Sequence, residues 1–343
     1  MVTYYAPNSF LRTINVLAVG ESNSSKGRAL VTGSSGNIGL ILVSKLLAEG
    51  WEVIGVTSRV SKHVNPRFHE ILFDWNAPKK FSIPSIDVIF YLASQNSAYE
   101  ARDDVIQNVT NNLLSFATII ESVRESGSRP VLIQTGSISE YGMEMPVSRD
   151  KSTLNPQTFY ECSKLTMQIY GDQYNKENII SQNFVLRLSN VYGNIQRSNG
   201  AQRGFLDRCI RLGLSGGPLT YFGNGSYIRD YIHVQDVVSA LLTCYEFSTK
   251  LIYKTYDIGT NRATSVLEML QLVIGEVRTI AKIKVDLLHK EFPTNSYEIE
   301  KRNGFVSQTN FSDETGWTAK INLSTGVRDA INSILEETPS SRI

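Results

Sequence analysis

Short aliphatic runs alternate with longer amphipathic ones through the first half of the chain. Arg28–Thr32 (RALVT), 52–56 (EVIGV), 70–73 (EILF), 88–93 (VIFYLA) and 131–135 (VLIQT) are bounded by turn residues, and a sixth run, 183–188 (NFVLRL), follows another helical stretch. Between them, 38–48 and 105–123 are long enough for helices. Near-continuously apolar strands separated by helices predict a parallel sheet covered on both faces, hence a doubly wound α/β unit. Beyond about residue 195 the pattern loosens. Gly213, Gly216, Gly217, Gly223 and Gly225 cluster, and 234–245 and 265–277 then read as helices. This predicts a smaller C-terminal α+β lobe. The expected division is an N-terminal extension over 1–27, the sheet-bearing unit over 28–195, and the smaller lobe mainly over 196–343.

Composition narrows the function classes. The chain has 343 residues, 34 basic and 33 acidic, with a net charge of +1. That balance provides no global attraction to nucleic acid or to an anionic membrane. No stretch approaches the ~18 apolar residues of a membrane span. The 14–20 run (INVLAVG) is short and leads into polar sequence, so it reads as a strand or loose extension rather than a signal peptide, and the expected location is the cytoplasm. Cys162, Cys209 and Cys244 are widely spaced without a CxxC pair, and read as reduced, buried thiols. His63 and His69 are too isolated for a metal site, and no metal is expected.

The first chemical signal is 32–39 (TGSSGNIG), directly after the first strand and opening a helix. Glycines there permit a tight turn and let backbone N–H groups approach a pyrophosphate, while the helix N-terminus adds oriented donors. Gly33, Ser35, Gly36, Asn37, Ile38 and Gly39 are therefore candidate contacts for a dinucleotide. The glycine spacing, GxxGxxG, is one residue longer than the common GxGxxG. The second strand runs into Thr57, Ser58 and Arg59, with no acid to bind a ribose 2′-hydroxyl. A small hydroxyl followed by Arg59 suits a 2′-phosphate, which favours NADP over NAD; Arg59 as an ordinary solvated side chain is the alternative.

The second signal is Tyr160 with Lys164, four residues apart and on one face of a helix. A cation beside the phenol would bring it down from its usual value near 10, letting Tyr160 exchange a proton with an alcohol oxygen. A second Tyr-x-x-x-Lys, at Tyr297 and Lys301, lies in a polar segment without a serine-bearing strand shortly before it. Tyr160 instead follows Ser137, at the end of the fifth strand, where ligands of doubly wound sheets bind.

Together, 32–39, 91–93 (YLA), Ser137 with Tyr141 and Gly142, and Tyr160 with Lys164 resemble an extended short-chain dehydrogenase/reductase of Rossmann-like fold. Two further stretches, 187–193 (RLSNVYG) and 223–234 (GNGSYIRDYIHV), resemble the nucleotide-sugar epimerase/dehydratase branch. The resemblance covers about residues 28–335. It implies that Ser137 hydrogen-bonds the substrate oxygen being oxidised or reduced, and that Asp74 and Trp75 contact adenine. It also implies that Leu92, Ala93, Ser94 and Asn108 line the cofactor, that Lys164 reaches its ribose, and that Asn190, Arg229 and Arg302 grip a sugar-nucleotide diphosphate. A homodimer is expected by the same analogy.

The chain departs from relatives of this branch in useful places. Dehydratases carry an Asp-Glu pair after the catalytic hydroxyl, whereas Ile138 and Ser139 follow Ser137. Phe305 replaces an acid that often follows the Arg302 position. The decarboxylase glutamate would fall at Ser139, and Glu140 is one place away. Cys162 reads as a small packing residue, His233 as a hydrogen-bonded structural histidine, Tyr141 as a packing residue near the pocket, and Trp317 as small-lobe core. The expected activity is epimerisation of a nucleotide sugar through transient hydride transfer, or reduction of a nucleotide 4-keto-sugar by NADPH. A non-catalytic cofactor-binding sensor is the distant alternative.

Overall fold

The computed structural model describes residues 25–60, 65–143, 153–193, 204–307 and 310–337. The 14–20 run and His63 lie outside the described residues. The strands are β1 (Arg28–Thr32), β2 (Glu52–Thr57), β3 (Phe68–Leu72), β4 (Val88–Tyr91), β5 (Val131–Ser137), β6 (Gln182–Leu188), β7 (Asn190–Tyr192), β8 (Leu219–Phe222), β9 (Ile228–Arg229), β10 (Tyr231–His233), β11 (Thr255–Ile258), β12 (Thr264–Ser265) and β13 (Leu287–Lys290). The helices are α1 (Asn37–Ala48), α2 (Ala98–Asp103), α3 (Val105–Val109), α4 (Ser115–Glu125), α5 (Phe159–Lys176), α6 (Phe205–Leu214), α7 (Val234–Glu246), α8 (Val266–Ala281), α9 (Asn310–Thr315) and α10 (Leu323–Glu337).

All six expected strands are present and form one parallel sheet with β11, in the order β11-β6-β5-β4-β1-β2-β3. The chain runs outward from β1 through β3 and then returns to place β4 on the other side of β1. The topological switch point therefore lies between β1 and β4, where a ligand crevice opens beyond the strand ends. Both faces are covered, as the unbroken apolar character of VIFY in β4 requires: all four of its residues are buried. On one face Leu42, Val43 and Leu46 of α1 meet Val237, Leu241 and Cys244 of α7; on the other, Phe116, Ile119 and Ile120 of α4 pack with Met167 of α5.

From the second half of the chain, α7 and β11 return to the large sheet, where β11 forms the edge beside β6. Three expectations need correction. Trp317 packs against this same large cluster: its ring lies 5.7 Å from Phe311 and its Nε1 donates to Ser239 Oγ at 2.8 Å. Cys162 is exposed, while Cys209 and Cys244 are buried as expected. The helix expected over 105–123 is interrupted by a π turn at Thr110–Leu114, between α3 and α4. The smaller lobe has its own core, in which Leu206 and Ile210 of α6, Met269 and Val273 of α8, and Val327 and Ile331 of α10 come together. It carries the short pairs β8–β13, β7–β10 and β9–β12.

Candidate active site

The glycine turn sits at the switch point. Gly33 has φ +67°, a left-handed conformation that glycine adopts without strain, and a Cβ there would stand 3.3 Å from the Ala93 backbone. A Cβ on Gly36 would come within 3.0 Å of the Gly33 carbonyl oxygen, and one on Gly39 would collide with that oxygen. Gly36 provides α1 with no side-chain cap, which leaves the first-turn N–H groups of Ile38 and Gly39 directed out of the helix. Such a bare, side-chain-free N-terminus fits a pyrophosphate. On the facing loop, Thr32 Oγ1 accepts from the Leu92 N–H at 2.9 Å and the Ala93 N–H at 3.1 Å, fixing residues 92–94 beside the turn.

Beyond β2, Thr57 is buried and its hydroxyl lies 2.5 Å from Ser35 Oγ. It also accepts from the Arg59 N–H at 3.2 Å, so Thr57 locks the glycine turn to the end of β2. Ser58 and Arg59 are exposed. Asp74 is exposed and accepts from the Asn76 N–H at 2.9 Å, while Trp75 packs edge-on against Phe73, with centroids 4.7 Å apart.

Asn108 is not open to the crevice. It is buried, and its amide donates to Gln95 Oε1 at 2.8 Å, so it acts on the cofactor-side loop rather than lining the cleft. The π turn accounts for a neighbouring residue that sequence reasoning missed. Its extra residue turns Asn112 fully inward, where Oδ1 accepts from the Gln95 N–H at 2.8 Å and Nδ2 donates to Ser163 Oγ at 2.7 Å. Gln95, the π turn and α5 are thereby tied together one residue before Lys164. Single π turns are frequent at functional sites, and an Asn-rich stretch inside a helical pattern was the available signal.

The structure brings Ser137, Tyr160 and Lys164 together. Ser137 ends β5 and caps a 3₁₀ turn in which its Oγ accepts from the Ser139 N–H at 3.2 Å, while Glu140 reaches back to the Ser137 N–H at 2.7 Å. Thr158 and Glu161 form the same reciprocal cap at the start of α5, which sets Tyr160 in its first turn. Lys164 is buried one turn on, and its Nζ donates to the Thr135 carbonyl at 2.8 Å. Burial lowers Lys164 to about 8, opposed by the charge of Glu140. Burial raises Tyr160 well above the usual phenol value, with Glu140 raising it further; a Ser137 hydrogen bond and Arg302 act the other way. The lowering expected from Lys164 is thus not realised in this state: the loss of water around the phenol outweighs the Ser137 hydrogen bond and the one cation that acts on it, Arg302.

Glu140 is fully buried and paired with Arg187, whose Nε donates to Glu140 Oε2 at 2.7 Å and whose Nη2 donates to Gln168 Oε1 at 2.7 Å. The Arg187 guanidinium lies over the Tyr141 ring, and the Tyr141 hydroxyl reaches both Asp257 oxygens at 3.0 Å. Glu140 thus has one oxygen on the Ser137 N–H and the other on Arg187. It lies in a 3₁₀ turn, not the extended chain for which the one-residue offset would point it elsewhere, and its charge is felt by Tyr160 and Lys164.

Among the substrate candidates, Asn190 Nδ2 donates to the Asp230 carbonyl at 3.0 Å. Arg229 donates to three carbonyls: Ile228, Arg302 and, at 2.6 Å, Glu300. Burial and the nearby Arg302 lower Arg229 to about 10. Arg302 donates to the Ile299 carbonyl at 3.0 Å and lies close enough to Tyr160 and Glu161 to interact with both electrostatically. Arg229 thus organises the segment that carries Arg302. Asp230, also missed, is fully buried and accepts from the Thr260 N–H at 3.0 Å, Thr260 Oγ1 at 2.7 Å, the Val306 N–H at 3.1 Å and Ser189 Oγ at 3.5 Å. His233 is buried and caps α7 by accepting from the Gln235 N–H, the structural role expected of it. Tyr297 does not join the Ser137–Tyr160–Lys164 group; its ring lies tilted against that of Tyr99. Among the described residues, no helix is long and apolar enough to cross a membrane.

Residues 29–259 match the model of the NAD dependent epimerase/dehydratase family, and the chain belongs to that family of enzymes. The UDP-glucose 4-epimerase of Mycolicibacterium smegmatis is 29% identical over 268 residues, 73% of this chain and 82% of that protein. In fold, the chain is similar to the UDP-glucose 4-epimerase of Thermotoga maritima, solved with UDP-glucose, with a TM-score of 0.76 at 23% identity over 90% of this chain and 99% of that one. It is also similar to the UDP-glucuronic acid 4-epimerase of Bacillus cereus, solved with UDP-glucuronic acid and NAD, with a TM-score of 0.71 at 22% identity over 90% and 99%. The family is NAD-dependent, and nothing in these likenesses supports the NADP preference drawn from Arg59.

Proposed function

We propose that the protein epimerises a nucleotide-diphosphate sugar by transient oxidation at one ring carbon. The observation that carries this reading is the convergence of Ser137, Tyr160 and Lys164 at the open end of β5, with Arg302 beside the phenol. A bound nicotinamide dinucleotide supplies the hydride acceptor and donor and, when oxidised, a positive charge. Gly33, Gly36, Ile38 and Gly39 would hold its pyrophosphate, and Leu92, Ala93 and Ser94 would form the facing wall. Ser137 and Tyr160 orient the sugar hydroxyl, and Tyr160 takes and returns its proton. Lys164, buried one helical turn from Tyr160 and bonded to the Thr135 carbonyl, would reach the nicotinamide ribose. Arg302 and Asn190 would face the diphosphate, to which the Arg302 contact would be charge-assisted. Elimination of water has no acid–base pair here, since Ser139 Oγ is bonded to Ser137 Oγ at 2.8 Å and no carboxylate follows directly. A homodimer would cover the apolar side chains that α3 and α5 expose, among them Ile106, Ile169 and Tyr170.

The test is incubation with a panel of UDP-, GDP-, dTDP- and CDP-sugars, following sugar stereochemistry by NMR and reduced nicotinamide by absorbance. Inversion at one carbon without net change in cofactor is the expected result. Absence of any turnover across the panel removes the reading.

Reduction of a nucleotide 4-keto-sugar is the second reading, favoured by the missing acid at Thr57. It requires NADPH to be consumed stoichiometrically in that same assay. The finer cofactor preference rests on Arg59, exposed beyond β2 and without a side-chain partner among the described residues. Arg59→Ala is expected to weaken NADP about tenfold more than NAD in binding titrations, as loss of a charge-assisted phosphate contact predicts. Equal losses would take Arg59 out of cofactor selection.

A further inference from the structure

The second Tyr-x-x-x-Lys motif has no place in the chemistry, yet Tyr297 occupies a defined position. The Arg102 guanidinium of α2 lies 5.1 Å from the Tyr99 ring centre and 5.2 Å from that of Tyr297, and the two rings are 5.4 Å apart. Arg102 Nη1 also donates to the Asn295 carbonyl at 3.1 Å, and the Tyr297 backbone hydrogen-bonds the Tyr99 hydroxyl. Lys301 lies over the Phe292 ring and pairs with Glu298, so it stays within its own segment.

These bonds define a strap over 292–302 with two differently held ends. Its C-terminal end is fastened inside the small lobe: Arg229 holds the Glu300 and Arg302 carbonyls, Asn303 Oδ1 accepts from the Ile228 N–H at 2.8 Å, and the Gly304 N–H donates to the Ile228 carbonyl at 3.0 Å. Its N-terminal part is joined to the sheet-bearing unit by α2, through Arg102 and Tyr99. Helix α2 packs on α5, the helix of Tyr160 and Lys164. Arg302, at the end of the strap, interacts electrostatically with Tyr160.

We infer that Arg102, clasped between Tyr99 and Tyr297, is a positioning residue that holds the strap against the sheet-bearing unit and so fixes Arg302 beside the catalytic tyrosine. A guanidinium suits this role because it stacks on two aromatic faces while its in-plane N–H groups remain free to donate. Arg102 itself, partly exposed and paired with Asp103, touches neither reacting group. The kinetic consequence rests on the nucleotide-sugar reading, since it is the diphosphate that Arg302 would grip.

The experiment compares Arg102→Ala and Arg102→Lys with the wild-type chain in two assays. Hydrogen exchange of the 292–302 amides is expected to quicken in Arg102→Ala while β5 and α5 stay protected. With the sugar turned over by the wild type, Arg102→Ala should raise KM about tenfold, with kcat within about twofold and dinucleotide affinity unchanged. Arg102→Lys, which keeps the charge but loses the planar stack, should fall between. Unchanged exchange in the strap, or a fall in kcat at constant KM, overturns the proposal. If the wild type turns over none of the sugars, the functional reading fails, while the exchange assay still decides the clasp.

Discussion

A Tyr160→Phe enzyme is expected to lose about 10²- to 10⁴-fold in kcat while binding its dinucleotide as tightly as the wild type, the range typical of a lost general acid–base. The phenol oxygen is the only heavy atom removed, and it is hydrogen-bonded to Ser137 on a half-buried residue. Removing it leaves the glycine turn, the 92–94 wall and Lys164 in place, so cofactor affinity measured by fluorescence titration should not move. The pH profile adds a sharper check. Tyr160 is held above the usual phenol value, so in the free enzyme it keeps its proton through neutral pH, and a phenolate should not be seen by difference absorbance until distinctly alkaline pH. Cofactor in its oxidised, positively charged form should bring that transition down. Wild-type turnover in the Phe variant would take Tyr160 out of the proton path.

Arg187→Met should cost about 3–5 kcal/mol of stability, because it leaves the Glu140 carboxylate buried without its cation. Both side chains are almost wholly inaccessible, 6% and 1% exposed, so water cannot replace the lost partner. Denaturant melts should show the midpoint falling with little change in slope. The double variant Glu140→Leu/Arg187→Met should recover much of the loss, since removing both charges ends the desolvation penalty. A single variant as stable as the wild type would mean that the pair is not buried in solution.

The large sheet was legible because its strands are apolar on both faces, a pattern that a strand with one face in water does not produce. β11 was missed: TYDI is four residues long and its burial alternates, since Asp257 turns toward Tyr141 at the edge of the sheet. The glycine turn, Ser137, Tyr160 and Lys164 were legible because their spacing and their place at strand ends are local properties of the chain. What could not be read was long-range. Arg187 stands in the apolar run NFVLRL, where a charge signals a buried partner, but only the strand register that sets it opposite Gly136 brings Glu140 within reach. The inward turn of Asn108, the outward placement of Cys162 and the upward shift of Tyr160 likewise depend on what surrounds each side chain, which no spacing encodes. The Arg102 clasp joins residues almost two hundred positions apart.

Asp230 has a bearing on how the molecule comes to be assembled. One carboxylate, shut off from solvent, gathers donors from Ser189, Thr260 and Val306, which reach the ribosomal exit tunnel at well-separated times. Until residue 306 emerges, that acid lacks part of its partner set, and enclosing it would be unfavourable. The pocket's second wall is therefore expected to close after synthesis of the sheet is complete, with Tyr160 open to solvent until that late docking step.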